Sequence, residues 1–393
     1  MLPKTVSVEE AVSLVKPGDK IFIGTGCGLP RVFVGALENT RIQGVEFFHF
    51  LTSGLKELLG ERGSRYHHRS FFVGIDMVET VQSGAADYVP ISLYDVSRLA
   101  LSGRLRADVA CVQVSPPDRL GFASLGISVD IAPPILKTAK SIIAEINPNM
   151  PRTYGDSLID LNDVTCCIQS DLPLVEYLHP PVGDATKAIA RYVAELVEDG
   201  ATLHVDVGRI PNETLKHLGN CRNLGIHSAV ITAEALDLIE AGVINGKRKN
   251  VHQGRIITSF AFGTRRFYDF VNENPTVEFH GVDYVSAPAL IRQNDRLVSR
   301  HQGLERPIGL VACPLEEKLD ELLIIANGVC SHGEESHAPS GRHALDHGDL
   351  ARGGNNAGEK EAVGGEKPPI LCLGPLKAPR DDHHVHVEQL AER

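Results

Sequence analysis

Short apolar runs alternate along this chain with segments of helical period, and this alternation restricts the possible folds more than any other feature. The runs are largely apolar without a polar residue at every second position, which is typical of strands covered on both faces. The pattern therefore predicts an α/β fold with mostly parallel sheets. The predicted strands are Lys20–Gly24, Val45–Phe50, Phe71–Val73, Asp108–Val114, Ser141–Ile146, Thr202–Asp206, Leu224–His227 and Arg255–Phe262. The predicted helices are Ser7–Val15, Pro30–Leu37, Tyr94–Leu101, Ala185–Val197, Pro211–Leu218, Ala233–Glu240 and Arg265–Asn272.

An internal repeat predicts two α/β domains of related fold. At a constant offset of 182 residues, a helix, a glycine turn, a strand and a glycine-bearing loop occur twice. The matching positions are Val15, Gly18, Ile21, Ile23 and Gly26 in the first copy, and Val197, Gly200, Leu203, Val205 and Gly208 in the second. We expect domains at 1–183 and 184–312, the second incomplete. Residues 313–393 are rich in Gly, His, Glu and Ser, and this composition predicts a disordered tail.

Composition narrows the classes of partner. The net charge of -11 argues against nucleic acid or an anionic membrane surface, although a local basic patch could still bind an acidic small molecule. No apolar run approaches the roughly 20 residues needed to span a bilayer. The eight cysteines form neither a C-x-x-C pair nor a zinc pattern, which favours a reducing, cytoplasmic setting without a metal site.

Four loops at predicted strand ends are candidates for chemistry. Gly24–Pro30 has the glycines of a phosphate-binding turn, with Glu46 near the spacing of a dinucleotide-binding acid, but a plain strand-to-helix turn explains it equally well. Val114–Asp118 is either a ligand-binding loop or a rigid connector. Asp206–Asn212 repeats the first loop, and Leu224–Val230 carries His227, which is usually a structural residue in such a place. These loops alone indicate a two-domain α/β enzyme for a phosphate-bearing cofactor.

Several linked stretches resemble the acetyl-CoA hydrolase/CoA-transferase family in order and spacing. They cover about residues 1–294 and are Val114–Asp118, Ser124–Asp130, Asn147–Arg152 with Gly155 and Asp156, Asp199–Pro211, Leu224–Ser228, Ser259–Gly263 and Phe270–Pro275. The resemblance implies two similar open α/β domains and coenzyme A as a substrate rather than a permanently bound cofactor. It implies acyl-CoA and a carboxylic acid as the small-molecule partners. It also places CoA at the loop formed by Asp206, Val207, Gly208, Arg209 and Ile210.

The chain departs from the family pattern where the chemistry is expected. Family members attack the acyl-CoA thioester with a glutamate that follows a Gly-Ile-His motif, and Ala229 occupies that position here. Asp206 replaces the usual first glycine of the CoA loop, where a carboxylate would repel a pyrophosphate. Glu234 is a possible substitute carboxylate, although we expect it on the exposed face of a helix. After about Arg300 the family pattern leaves only traces.

Three functions remain open from the sequence. The first is an acyl-CoA hydrolase or a CoA-transferase that moves CoA between carboxylic acids. The second is a catalytically inactive, CoA-binding relative without the nucleophilic glutamate. The third, which depends on the glycine loops alone, is a nucleotide-dependent dehydrogenase. An exposed sheet edge in the incomplete second domain would favour a homodimer.

Overall fold

The computed structural model describes residues 4–59 and 65–299, and the predicted tail at 313–393 lies outside them. The described residues contain the strands β1 Lys20–Ile23, β2 Glu46–His49, β3 His67–Ser70, β4 Ala86–Tyr88, β5 Val109–Val114, β6 Phe122–Ser124, β7 Ser141–Ile146, β8 Tyr154–Gly155, β9 Leu158–Asp160, β10 Cys166–Gln169, β11 Thr202–His204, β12 Gly225–Ile226, β13 Val230–Thr232, β14 Ile256–Thr258, β15 Phe260–Phe262, β16 Val277–Phe279 and β17 Leu297–Ser299.

They also contain the helices α1 Val8–Val12, α2 Arg31–Glu38, α3 Leu55–Leu59, α4 Val78–Gln82, α5 Leu93–Leu101, α6 Ala132–Leu136, α7 Asp184–Glu195, α8 Arg209–Leu215, α9 Leu236–Glu240, α10 Arg265–Val271, α11 Val282–Val285 and α12 Pro288–Ile291. None of these helices is long and apolar enough to cross a membrane. Ser7 caps α1 by accepting a hydrogen bond from the backbone N–H of Glu10, at 3.2 Å.

A seven-stranded, wholly parallel sheet forms the first half of the fold. Its strand order is β10-β7-β5-β1-β2-β3-β4. Ile21 and Ile23 of β1 face one hydrophobic cluster, and Phe22 between them faces another, so both faces of the sheet are covered. The chain first adds β2, β3 and β4 on one side of β1, and then adds β5, β7 and β10 on the other side. The loops that leave β1 and β5 therefore lie at a topological switch point, where α/β folds usually place ligands.

The second half contains smaller parallel sheets. One has the order β12-β11-β17, a second pairs β13 with β15, and a third has the order β14-β16-β8. The third sheet includes β8 from the first half of the chain, so the two halves share hydrogen bonds. Gly18 and Gly200, which correspond in the repeat, both adopt the left-handed conformation before a strand, at φ +84° and +81°. The α/β prediction with mostly parallel sheets is confirmed, while the division near residue 183 stays a prediction.

Two strand predictions differ from the structure for identifiable reasons. The strand predicted at Phe71–Val73 is wrong, because β3 lies at His67–Ser70, where two buried polar side chains obscured the apolar signal. The single strand predicted at Arg255–Phe262 is divided at Ser259 into β14 and β15, which belong to different sheets. The backbone N–H of Ser259 leaves the strand ladder to bond the carbonyl oxygen of Ala229, at 3.0 Å.

A pair of buried histidines joins β2 to β3. His49 Nε2 lies 3.1 Å from His68 Nδ1, and both side chains are buried. The two remaining ring nitrogens are buried and have no hydrogen-bond partner among the described residues. Burial lowers the pKa of His68 to about 4, with a smaller contribution from the charge of His67. Burial and the His68 ring likewise hold the pKa of His49 well below its usual value.

We expect this pair to make the fold acid-sensitive. Both rings are neutral in the folded protein, whereas an unfolded histidine binds a proton near pH 6.5. Stability is therefore complete above about pH 6.5 and falls as the pH drops toward 4, by at most about 1.4 kcal/mol per pH unit for each ring. The free energy of unfolding can be measured by urea titration at several pH values. The slope of this free energy against pH should be shallower in a His68→Asn variant than in the wild-type chain. An unchanged slope in that variant would contradict the assignment.

Candidate active site

The site predicted from the sequence lies where the chain passes from β12 to β13. The carbonyl oxygen of Ala229 accepts hydrogen bonds from the backbone N–H groups of Ser259 and Phe260, both at 3.0 Å. Phe260 forms a backbone bridge with Ser128, and Ala261 donates to the carbonyl of Ile127 at 3.0 Å. Residue 229 is therefore held beside the Ser124–Asp130 segment, which belongs to the first half of the chain.

Ala229 itself offers no reactive group. Its side chain is half-buried and packs against the hydrophobic core. The flanking Ser228 hydroxyl donates to the carbonyl of Val205, and His227 Nε2 bonds the carbonyl of Val285 at 3.0 Å. Burial lowers the pKa of His227 to about 4, so that ring is a neutral structural residue. A methyl group cannot attack a thioester, and the Ser228 hydroxyl and the His227 ring are both hydrogen-bonded to backbone carbonyls.

The loop from Asp206 to Ile210 leaves the carboxyl end of β11 and leads into α8. Asp206 Oδ1 accepts a hydrogen bond from the backbone N–H of Val207, at 2.8 Å. This carboxylate therefore occupies an N–H that could otherwise face an anion. Gly208 has an extended backbone, and a β-carbon there would meet only Pro211, at 3.3 Å. Arg209 is exposed beside it and supplies a positive charge at the loop.

Glu234 differs from its predicted setting. The helix predicted from Ala233 begins as a 3-10 turn over Ala233–Ala235, and Glu234 in this turn is half-buried rather than exposed. Burial raises the pKa of Tyr177, and the charge of Glu234 adds to this rise. Burial lowers the pKa of His179, and the charge of Glu234 opposes this decrease. The backbone N–H of Tyr177 bonds the carbonyl of Gly263 at 2.9 Å, which anchors this segment at the end of β15.

Asn212 ends the candidate loop Asp206–Asn212 and connects these parts of the site, a role that no sequence pattern predicted. The side chain is buried, and its Nδ2 donates to the carbonyl of Gly208 at 2.8 Å. Its Oδ1 accepts from the hydroxyl of Thr232, the last residue of β13, at 2.6 Å. The same Nδ2 contacts Nε2 of His179. One amide thus joins the CoA loop of the family to the strand that follows Ala229.

Cys27 has a thiol, another kind of side-chain nucleophile, but its environment prevents formation of the reactive thiolate. The thiol is buried against the side chains of Tyr268 and Ser53. Burial raises the pKa of Cys27 to about 12, although hydrogen bonds to those two side chains lower it. The thiolate is the nucleophilic species, so Cys27 cannot replace a carboxylate at neutral pH.

The loop at Gly24–Pro30 is a packed turn rather than a phosphate cradle. A β-carbon on Gly28 would lie 2.2 Å from Ser128 Oγ, and one on Gly26 would lie 2.9 Å from the Phe262 ring. At the start of α2, Glu145 Oε2 accepts the N–H groups of Val32 and Phe33, both at 3.1 Å. A carboxylate of the protein therefore fills this helix N-terminus, which argues against the dehydrogenase hypothesis.

The loop Ser115–Asp118 lines an open cleft of about 350 Å³. Asp118 pairs with Arg152 at 2.7 Å and accepts the backbone N–H of Phe122 at 3.0 Å. These contacts lower the pKa of Asp118, with the Phe122 hydrogen bond as the largest cause. Every contact named here stabilises the turn itself, which fits the rigid-connector interpretation.

A buried lysine explains the glycine of the Gly-Ile-His motif. The aliphatic stem of Lys249 lies against Gly225, where a β-carbon would be 2.5 Å from Lys249 Cγ. Its ammonium donates to the carbonyls of Ile226 and Arg255, both at 2.8 Å. Burial lowers the pKa of Lys249 to about 8, against the charge of Glu278. Lys249 therefore ties the end of β12 to the residue before β14, and these two strands lead to Ala229 and Ser259.

Parallel strands with a glycine-bearing loop at their carboxyl ends are typical of α/β proteins that bind a ligand at the strand ends. The family model for the acetyl-CoA hydrolase/transferase N-terminal domain matches residues 2–180, and the model for the C-terminal domain matches residues 263–308. The chain belongs to the acetyl-CoA hydrolase/transferase family. In the described residues, no group of three or more His, Cys, Asp or Glu side chains could hold a metal ion.

Relatives and solved structures agree with this assignment. The 4-hydroxybutyrate coenzyme A transferase of Clostridium kluyveri is 42% identical over 299 residues, which are 75% of this chain and 70% of that protein. The succinyl-CoA:cyclohexane-1-carboxylate CoA transferase of Geobacter metallireducens is 36% identical and covers 77% and 69%. The crystal structure of RipA from Yersinia pestis has a TM-score of 0.68 at 29% identity, covering 75% of this chain and 72% of RipA. The 4-hydroxybutyrate CoA-transferase of Porphyromonas gingivalis has a TM-score of 0.62 at 31% identity, covering 75% and 71%.

The Lys249 contacts predict a measurable loss of stability on substitution. A Lys249→Met variant leaves two buried carbonyl oxygens without their donor, at a cost of about 1–3 kcal/mol for each unsatisfied group. We expect a net decrease of roughly 2 kcal/mol in the free energy of unfolding, measured by urea titration. The exposed neighbour Lys247 provides a matched control, because Lys247→Met should change stability by less than about 0.5 kcal/mol. Equal stability of the two variants would contradict the proposed clamp.

Proposed function

We propose that this chain binds acyl-CoA and a carboxylic acid and acts in the reaction class of its family. That class is hydrolysis of acyl-CoA or transfer of CoA between carboxylic acids. Family membership over most of the described residues supports the substrate class. The observation that carries the proposal for this chain is the position of residue 229. Its backbone is fixed by Ser259 and Phe260 beside the Ser124–Asp130 segment.

The loop Asp206–Ile210 is the proposed CoA site. It lies at the carboxyl end of β11, and Asn212 links it to the end of β13. Arg209 supplies a positive charge to a phosphate at this loop, while Asp206 opposes an anion. We therefore expect the wild-type chain to bind CoA more weakly than an Asp206→Gly variant would.

A second candidate function follows from Ala229 itself. Attack on a thioester by this route needs a carboxylate, which forms an acyl anhydride and releases CoA thiolate. Ala229 offers none, Cys27 is held as a thiol, and Glu145 is committed to the start of α2. Glu234, whose charge acts on His179, is the substitute carboxylate considered for this site. The geometry therefore favours a CoA-binding relative without covalent turnover.

We also propose a cytoplasmic location and a possible homodimer. All five cysteines within the described residues are free, although Cys166 and Cys167 are adjacent, and free thiols are typical of a reducing compartment. Strand β17 pairs with β11 alone among the described strands, which supports association through that edge.

Turnover assays on three variants separate the two candidates. The protein is incubated with acetyl-CoA, with and without propanoate, while free thiol and propanoyl-CoA are measured. The candidate without covalent turnover predicts background rates for the wild-type chain, and a gain on the order of 100-fold or more for Ala229→Glu, because that substitution restores the nucleophile. Wild-type turnover above background would support the family reaction instead. Ala229→Gln matches the size without the charge and should show no gain.

The result for Glu234 decides the remaining alternative. Wild-type turnover that disappears in Glu234→Ala would assign the reaction to that carboxylate and contradict the non-covalent candidate. Failure of both the wild-type chain and Ala229→Glu to bind CoA in a calorimetric titration would contradict the CoA proposal as a whole.

A further inference from the structure

The hydrogen bonds of Asn212 determine the protonation of His179. The carbonyl oxygen of Gly208 can only accept, so the atom of Asn212 that faces it must be the NH2 nitrogen. The opposite atom is then the amide oxygen, which agrees with the hydroxyl of Thr232 as its donor. The orientation of the Asn212 amide is therefore fixed by its neighbours.

The second hydrogen of this NH2 group meets Nε2 of His179. Because the amide nitrogen only donates, Nε2 must accept, and the ring hydrogen must be on Nδ1. A protonated ring would place an N–H against another N–H. Burial, the largest cause, also lowers the pKa of His179, and the positive charges of Lys216 and Arg209 act in the same direction. The negative charge of Glu234 opposes them.

We infer that His179 is a ligand-recognition residue whose fixed Nδ1–H donates a hydrogen bond to a phosphate oxygen of the molecule bound at the Asp206–Ile210 loop. This inference rests on the proposed CoA site. The ring is half-buried, and it contacts the ring of Tyr177 at a centroid distance of 4.9 Å. Arg209, whose charge acts on the same ring, starts α8 directly after Gly208. A neutral N–H donor next to a guanidinium is suited to a phosphate group.

Asparagine and glutamine variants separate the two nitrogens of the ring. His179→Asn places an amide nitrogen near the position of Nδ1, while His179→Gln places an amide near the position of Nε2. His179→Gln therefore keeps a partner for Asn212 but loses the proposed donor. We expect CoA to bind about tenfold more weakly to His179→Gln than to the wild-type chain, and His179→Asn to bind within about threefold of it. Pantetheine, which lacks the phosphates, should not distinguish the variants.

A nuclear magnetic resonance spectrum of the full chain with 15N-labelled histidine tests the tautomer independently of CoA. The signal of His179 is identified by its absence from the His179→Gln spectrum. We expect a protonated Nδ1 and an unprotonated Nε2 at pH 7, with the Nδ1 signal shifting when CoA is added. A proton on Nε2 would overturn the inference whether or not CoA binds.

The binding results distinguish the two proposals. If the wild-type chain and His179→Gln bind CoA equally, the CoA site stands and the role of His179 is wrong. If no variant binds CoA, the proposed function fails, and His179 has no ligand role. If pantetheine separates the variants as strongly as CoA does, the acceptor is not a phosphate oxygen, and the inference is overturned.

Discussion

The carbonyl oxygen of Ala229 accepts hydrogen bonds from two backbone N–H groups, those of Ser259 and Phe260, and the geometry of the candidate active site depends on this junction. It turns the chain from one parallel sheet into another and divides the 256–262 segment between them. It also brings the second half of the chain against Ser128. Because the contacts are made by backbone atoms, they do not require a particular side chain at position 229. The scaffold can therefore keep its shape while the nucleophile is absent.

The surroundings of this junction are built from groups that are neutral or already bonded. His227 bonds a backbone carbonyl, the Cys27 thiol is buried, and Lys249 donates to two carbonyls. Burial raises the pKa of Glu145 to about 7, although two helix N–H groups stabilise its charged form. Each of these groups serves the fold. The Asp206–Ile210 loop differs from these groups, because Arg209 is exposed there and Asn212 links the loop to His179.

The sequence predicted those parts of the fold that have a local signal. Ser141–Ile146 is an apolar run covered by the core, and its predicted bounds are those of β7. His67–Ser70 was missed because its buried side chains are polar and bond partners elsewhere in the chain, such as the carbonyl of Phe50. The Gly24–Pro30 glycines were interpreted as a possible phosphate loop. Their reason is close packing against Ser128 and Phe262, which are distant in sequence and cannot be seen locally.

The site was predictable only in the same limited sense. The resemblance pointed to Ala229 and to the loop at Asp206–Ile210. Asn212 lay in the candidate loop without a predicted role, and His179 lay in no motif. Their importance arises from two contacts of Asn212 with segments that are far apart in sequence, at His179 and Thr232, together with its local contact with Gly208. Such a network is a product of folding and is recognised only once the segments are placed together.

The central claim is that the candidate active site binds CoA but forms no covalent intermediate, because residue 229 has no carboxylate. Intact-mass spectrometry of the wild-type chain after incubation with acetyl-CoA tests this claim most directly. The account predicts that the protein keeps its unmodified mass after gel filtration, while equilibrium dialysis of the same sample shows bound CoA. A mass increase equal to an acetyl or CoA adduct on any residue of the chain would contradict it.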